Sequence, residues 1–296
     1  MIRENKGWIL KNDDGSEIVN YDVPGFPSYC YNGYIYPGCR WEKIPHFHED
    51  VEICAQRKGT SAYCVNGKDY VLHEGETIFI NSGSVHYSYA NQDERSYYTI
   101  IVAHPNILCS SYNVERKFIL PVTENSECDV ILFKNDCKYG RKMFKDCINL
   151  NRYVGDEFLT TKQFFEIWSN ILASCDDLFD FKGHADPRDP HIEIFKAMLT
   201  FIRTSYNEKI TLDDIAARGR VSRTMCNNLF KKFAGNSPFE ELTKVRLRKV
   251  SEYLTDSSLS MGDIALETGF SSANYMTELF KREYGISPRE YRNGLK

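Results

Sequence analysis

The chain has 296 residues, more than one hydrophobic core usually serves, so two domains are expected. Its charge of −4 is uneven: residues 190–296 carry 17 Lys+Arg against 13 Asp+Glu, the rest 20 against 28, so only the C-terminal part is suited to phosphates. The opening MIRENKGWILKNDDG is charged throughout, no long apolar run follows, and ten cysteines are spread from Cys30 to Cys226 without a CxxC pair. These features speak against a signal peptide, a membrane span and a disulfide framework, and for a cytoplasmic protein with reduced, mostly buried thiols.

From Tyr29 to about Ala103, short apolar strands are punctuated by turn residues, among them Asn66-Gly67, a strong hairpin signal. A small β-barrel or sandwich is expected. It contains His46-Phe47-His48, Glu52 four positions on, Gly59, Gly75 and His86. Strand alternation places His46 and His48 on one face, and two such histidines with a carboxylate and a remote histidine suit a divalent transition metal if all four converge. The same side chains would equally hydrogen-bond a polar ligand, and histidines on strands are also satisfied by ordinary neighbours. The HxHxxxE stretch and the run from Gly75 to His86 resemble the cupin metal-ligand pattern, although Arg40 stands where a glycine is usual and Asn81 where a proline is. Among nearby aromatics (Tyr34, Tyr36, Trp41, Tyr63, Tyr87, Tyr89), most are expected in the core, with Tyr36 and Trp41 candidates to stack on an effector.

Helical patterns follow at 138–151 and 157–175, with Met143, Phe144, Cys147 and Ile148, then Phe164, Phe165, Ile167, Trp168, Ile171 and Leu172, at near-helical spacing. They form either a dimer contact, the favoured reading, or a cover for the barrel's open side. Residues 176–190, with Gly183, Asp186-Pro187 and Asp189-Pro190, read as a linker.

The C-terminal part contains one unit twice: DIAARGRVSRTMCNNLFKKFAGNSP from Asp214 and DIALETGFSSANYMTELFKREYGISP from Asp263, with Ser271 one extra residue. Each reads as a short helix, a turn at Gly219 or Gly269, and a longer helix. Thr211 with Asp214 and Ser260 with Asp263 form capping boxes, and Ser222 caps the first long helix. The buried stripes are Met225, Leu229, Phe230 and Phe233, then Tyr275, Met276, Leu279 and Phe280. Ser237-Pro238 and Glu240 open a joining helix on which Leu242, Val245, Leu247, Val250 and Leu254 face inward while Arg246, Arg248 and Lys249 decorate the surface. A first helix at 192–206 and a last one after Ser287-Pro288 complete seven helices. The second helix of such a turn fits the DNA major groove, where polar side chains reach base edges. The candidate DNA-contacting residues are Arg223, Thr224, Asn227, Asn228, Lys231 and Lys232 in one unit, and Ser272, Ala273, Asn274, Thr277, Glu278, Lys281 and Arg282 in the other.

The doubled unit, the joining helix and the ending GISPREYR at Gly285–Arg292 resemble the DNA-binding domain of the AraC/XylS family. That resemblance implies two recognition helices in successive major-groove segments, here Ser222–Phe233 and Ser272–Tyr284, with Glu278 a departure that either accepts from a cytosine or weakens that half. The expected fold class is α+β multidomain: an N-terminal cupin-like β-barrel with flanking helices and a C-terminal all-α domain of two helix-turn-helix units. The expected domains are 1–137 for the effector-binding barrel and its arm, 138–175 for dimerisation, 176–190 for the linker and 191–296 for DNA binding. The expected function is an activator that answers a small effector, a carbohydrate by resemblance, held by His46, His48, Glu52, His86, Tyr36 and Trp41. The metal ligands, if a divalent transition metal binds, are the same His46, His48, Glu52 and His86. Its partners are promoter DNA, RNA polymerase and a second copy of the chain, with no membrane. The competing reading is a metal-dependent cupin enzyme with an attached helical domain.

Overall fold

The computed structural model describes residues 10–11, 16–39, 42–91, 93, 95–178, 189–256 and 258–294. The chain separates into two compact units, the first ending at Ile192. Among the described residues no helix is long and apolar enough to cross a membrane.

The first unit opens with a small antiparallel pair, β1 (Leu10–Lys11) and β2 (Glu17–Ile18). Its main strands are β3 (Ser28–Ile35), β4 (Val51–Lys58), β5 (Ser61–Val65), β6 (Lys68–Leu72), β7 (Thr77–Ile80), β8 (His86–Ala90), β9 (Ser96–Ala103) and β10 (Val130–Phe133). They form two antiparallel sheets, ordered β10-β7-β4-β9-β3 and β6-β5-β8. Hydrogen bonding does not close them into one barrel among the described residues, so of the barrel and the sandwich expected for the cupin-like domain the two sheets form the more open one. At the β5–β6 turn Asn66 and Gly67 both take positive φ, 47° and 78°, which matches the twist of the flanking strands.

Strand alternation divides the larger sheet's side chains between two cores. Tyr31, Ile35, Cys54, Ile78, Ile80 and Tyr98 point inward, where Tyr63, Val65 and Leu72 of the smaller sheet meet them. Cys30, Val51, Ile53, Phe79 and Ile101 point outward, and helices cover them. Those helices are α1 (Tyr112–Val114), a π-helical turn at Glu115–Ile119, α2 (Leu120–Thr123), α3 (Gly140–Leu150) and α4 (Glu157–Leu178). Met143, Cys147, Phe164, Ile167, Trp168, Ile171 and Cys175 are buried in this outer core, and Trp168 Nε1 donates to the Phe118 carbonyl at 2.9 Å. The apolar stripe at 138–175 is thus spent on covering the sheet, within the same compact unit, while Phe158 and Phe165 remain on the exposed side of α4. Of the ten cysteines only Cys137 is exposed and Cys109 half-buried.

The second unit holds seven described helices: α5 (Pro190–Thr204), α6 (Leu212–Arg218), α7 (Arg223–Ala234), α8 (Pro238–Asp256), α9 (Met261–Glu267), α10 (Ala273–Tyr284) and α11 (Pro288–Gly294). Both capping boxes form with both hydrogen bonds present, at Thr211/Asp214 and Ser260/Asp263. Phe195 of α5 packs on Phe230 and Phe233 of α7 at ring-centroid distances of 5.1 and 5.2 Å. Around α10 a second core gathers Leu247, Val250, Leu254, Ile264, Phe270, Met276, Leu279 and Phe280.

Three details depart from the sequence expectation. The left-handed residue in the first turn is Arg220, at φ 53°, and it aligns with Gly269 at φ 75°. Gly219 is needed instead for close packing, because a Cβ there would lie 2.9 Å from Ile194. Tyr275 is 50% exposed rather than in the buried stripe, and in α7 Cys226 is fully buried where Met225 is only half-buried. Arg246 is no surface decoration: its guanidinium donates to the carbonyls of Tyr206 at 2.7 Å and Glu208 at 2.8 Å, pinning the α5–α6 loop to α8.

Candidate metal centre and nucleic-acid interface

The sheet brings His46, His48, Glu52 and His86 together, with ligand atoms all within 4.8 Å of one another. Glu52 shares the inward face of β4 with Cys54, and His86 opens β8. His46 and His86 exchange both backbone hydrogen bonds at 2.9 Å, so the segment carrying the HxH motif is stitched to the smaller sheet. On the other side the Gly83 amide donates to the His48 carbonyl at 2.8 Å. Asn81, in the position usual for proline, donates through Nδ2 to Val122 O at 2.7 Å, which ties the loop before His86 to the helical cover.

Each imidazole is oriented through its Nδ1. Nδ1 of His46 lies 2.8 Å from Ile44 O, that of His48 2.9 Å from Asp50 O, and that of His86 2.9 Å from Ser84 O. A carbonyl oxygen only accepts, so each Nδ1 bears a hydrogen and Nε2 is the ring atom left to face a carboxylate, Glu52 for His48 and His86 and Glu17 for His46. Glu52 Oε2 is 3.2 Å from Nε2 of His86 and 3.7 Å from that of His48. In a tetrahedral metal shell with bonds of about 2.1 Å, neighbouring donors stand about 3.4 Å apart. These spacings are those of donors prepared to share one cation, and carbonyl-oriented histidines are the arrangement by which proteins pre-set metal ligands.

Electrostatics agree with a cation at the centre. Burial pushes the Glu52 carboxyl up, but His86, His48 and His46 together outweigh it and hold it well below the usual carboxylate range. Burial lowers His48, yet the Glu52 hydrogen bond and charge leave it above its ordinary value. His46 falls well below its ordinary value, through burial first and then the charge of His86, so it is neutral at pH 7 and its Nε2 lone pair is free to ligate. The quartet therefore fits a divalent transition metal on its donor set and on the orientation of its rings.

Tyr36 lies elsewhere. It stacks on Tyr34 at 6.0 Å, and both lie within reach of the Arg95 guanidinium, at 4.4 Å from the Tyr34 ring and 5.3 Å from that of Tyr36. Tyr34, four residues after Cys30 on the same strand, shares the outward face of Cys30, so this cluster sits on the face of the larger sheet away from the quartet. Trp41 lies outside the described residues. A contributor absent from the sequence expectation is Glu17, whose Oε2 is 3.5 Å from His46 Nε2; an acid in an N-terminal segment remote from the motif gave no periodic signal.

In the helical unit, Arg223, Thr224, Asn227, Asn228, Lys231 and Lys232 are all exposed on α7, as are Ser272, Asn274, Glu278, Lys281 and Arg282 on and before α10, whereas Ala273 and Thr277 are half-buried. Ser222 and Ser272 use their hydroxyls as N-caps, accepting from Met225 N and Tyr275 N. Arg223 is engaged bidentately by Asp213 across the turn, and Asn227 Nδ2 donates back to Arg223 O at 3.0 Å. Lys232 lies over the Phe233 ring at 4.7 Å.

Comparison with known proteins places this geometry. Residues 35–102 match the cupin domain family and residues 215–294 a helix-turn-helix domain family. The lactose operon transcription activator of Staphylococcus xylosus is 34% identical over 246 residues, covering 82% of this chain and 83% of that protein. An uncharacterised helix-turn-helix regulator of Bacillus subtilis, YdeC, is 22% identical over 93% of this chain and 95% of its own length. Among solved structures, ToxT from Vibrio cholerae O395 aligns with a TM-score of 0.45 at 15% identity, covering 93% of this chain and 99% of that one. A cupin-type sheet domain followed by a paired helix-turn-helix unit, with relatives that are regulators over nearly their full length, defines a transcriptional regulator rather than a cupin enzyme. The chain belongs to the AraC/XylS family.

Proposed function

We propose that this regulator is a cytoplasmic activator of a sugar-utilisation operon, switched by a carbohydrate that binds at His46, His48, Glu52 and His86. The observation that carries the reading is the convergence of His46, His48, Glu52 and His86, with ligand atoms all within 4.8 Å of one another, at a place where His46 stays partly open to solvent. The hydroxyls of a sugar are ligands for such an arrangement, directly or through a divalent metal on the same four residues. That metal, when bound, supplies a Lewis-acidic point to which hydroxyl oxygens attach. The relatedness to a lactose operon activator supports the carbohydrate class.

On the DNA side, α7 and α10 enter successive major-groove segments, with Thr224, Asn227, Asn228, Asn274 and Thr277 toward base edges and Lys231, Lys232, Lys281 and Arg282 toward phosphates. Arg223 serves there once it exchanges Asp213 for DNA. The exposed side of α4, with Phe158 and Phe165, supports a dimer contact, and RNA polymerase is the partner through which an activator acts. The deciding experiment is fluorescence-anisotropy binding of the full chain to its own upstream DNA, titrated with a panel of sugars, with elemental analysis of the same sample. Affinity that changes with one sugar, and a response lost in His48→Ala while basal binding persists, is the expected result. Absence of any sequence preference, with or without sugars, overturns it.

A further inference from the structure

The open side of the quartet faces a second carboxylate. Glu17 lies on β2, and its amide donates to the carbonyl of Phe47 at 3.0 Å, so β2 runs beside the HxH segment and pairs with its central residue. Ser16 next to it is buried. This backbone pairing delivers the Glu17 side chain to His46, with Oε2 3.5 Å from Nε2. Nδ1 of His46 is committed to Ile44 O, so Nε2 is the ring atom turned to Glu17. Their 3.5 Å separation is longer than an ordinary hydrogen bond and close to that of adjacent donors around a cation.

We propose that Glu17 is a fifth ligand to a divalent transition metal held by His46, His48, Glu52 and His86, so that strand β2 forms part of the metal site. The inference rests on the metal reading of the quartet given above. Charge supports it independently of distance. Three neutral imidazoles and one carboxylate leave a divalent ion with an uncompensated positive charge in a buried site, and the Glu17 carboxylate brings the assembly to neutrality. Five donors with two carboxylates also suit an ion that tolerates coordination above four, such as Mn2+, Co2+ or Ni2+, better than a closed tetrahedral zinc site.

The test uses the full chain, stripped with chelator and titrated with Co2+, reading both affinity and the visible absorption of the bound ion. Wild type is expected to bind one Co2+ per chain. Glu17→Gln, which keeps size and backbone pairing, is expected to bind the same stoichiometry about 10- to 100-fold more weakly with an altered spectrum. His86→Ala serves as the control that removes binding. Equal affinity or an unchanged spectrum in Glu17→Gln overturns the fifth ligand and leaves the quartet standing. Failure of the wild type to bind Co2+, Ni2+ or Mn2+ overturns both the ligand and the metal reading beneath it.

Discussion

The two helix-turn-helix units share one scaffold and present different faces. Both have a capping box, a serine N-cap on the second helix and a left-handed residue in the turn. The buried positions coincide in kind as well: Leu229 and Phe230 in one, Leu279 and Phe280 in the other. The outer faces have diverged. Helix α7 carries three cations and no acid, whereas α10 carries Lys281 and Arg282 against Glu278 and Glu283. Packing and capping constrain the inward side of a duplicated unit, while the outward side is answerable only to its partner, so the first unit is expected to dominate phosphate contact.

The largest effect expected from breaking this symmetry is at the turns. Gly269→Ala places a Cβ 2.8 Å from Tyr206 O on a residue at φ 75°, and should cost about 3 kcal/mol in urea denaturation followed by helical circular dichroism. Arg220→Gly, at the equivalent place in the first unit, should instead stabilise by about 0.5–1 kcal/mol, since relief of the left-handed strain exceeds the entropy glycine adds to the unfolded chain. Next in size after Gly269→Ala, and above the effect at Arg220, Asn227→Ala should cost about 1–3 kcal/mol at one base pair of the operator and little elsewhere, as measured by competition against single-substitution sites. A uniform loss across all sites would show that Asn227 reads no base.

Charge changes are smaller and sharpen the contrast between units. Lys232→Ala should weaken binding to every sequence and flatten the slope of log K against log salt by about 1. Glu278→Gln should do the reverse, tightening binding to all sequences and steepening that slope; a loss confined to one position would instead make Glu278 a reader of cytosine. The smallest effect is acid sensitivity. Hydrogen bonds from Thr211 hold Asp214 below its usual value, and those from Ser287 and Ser237 do the same for Glu290 and Glu240. Carboxyls lowered in the folded state contribute stability that is present above their ordinary range and lost as pH falls through the folded values. The melting temperature of the helical unit should therefore decline as pH drops below about 4, and Asp214→Asn should decline less steeply.

Local chemistry was readable along the chain wherever partners are close in sequence. The boxes at Thr211/Asp214 and Ser260/Asp263, the Asn66-Gly67 turn and the polar face of α7 each need only a few consecutive residues. The quartet was legible because the HxHxxxE spacing places its members on a strand and its flank, and the stripe at 138–175 because it repeats at helical period. Other features need residues brought from a distance. Glu17 meets His46 through a backbone pairing 30 positions along, Arg246 finds carbonyls 38 and 40 positions back, and Asp213 engages Arg223 across a turn. Periodicity also could not say which partner an apolar stripe meets, and Phe164, Ile167 and Trp168 found the sheet.

The sequence by itself determined the two-part organisation, the doubled turn and which four side chains could converge, because capping, turn geometry and strand alternation act over a handful of bonds. Only the tertiary structure decided that the sheets stay unclosed, that Tyr36 and the quartet lie on opposite faces, that Arg220 rather than Gly219 takes the left-handed position, and that Glu17 looks at His46. Those outcomes depend on which surfaces bury one another, and burial is a property of the whole folded unit rather than of any short segment.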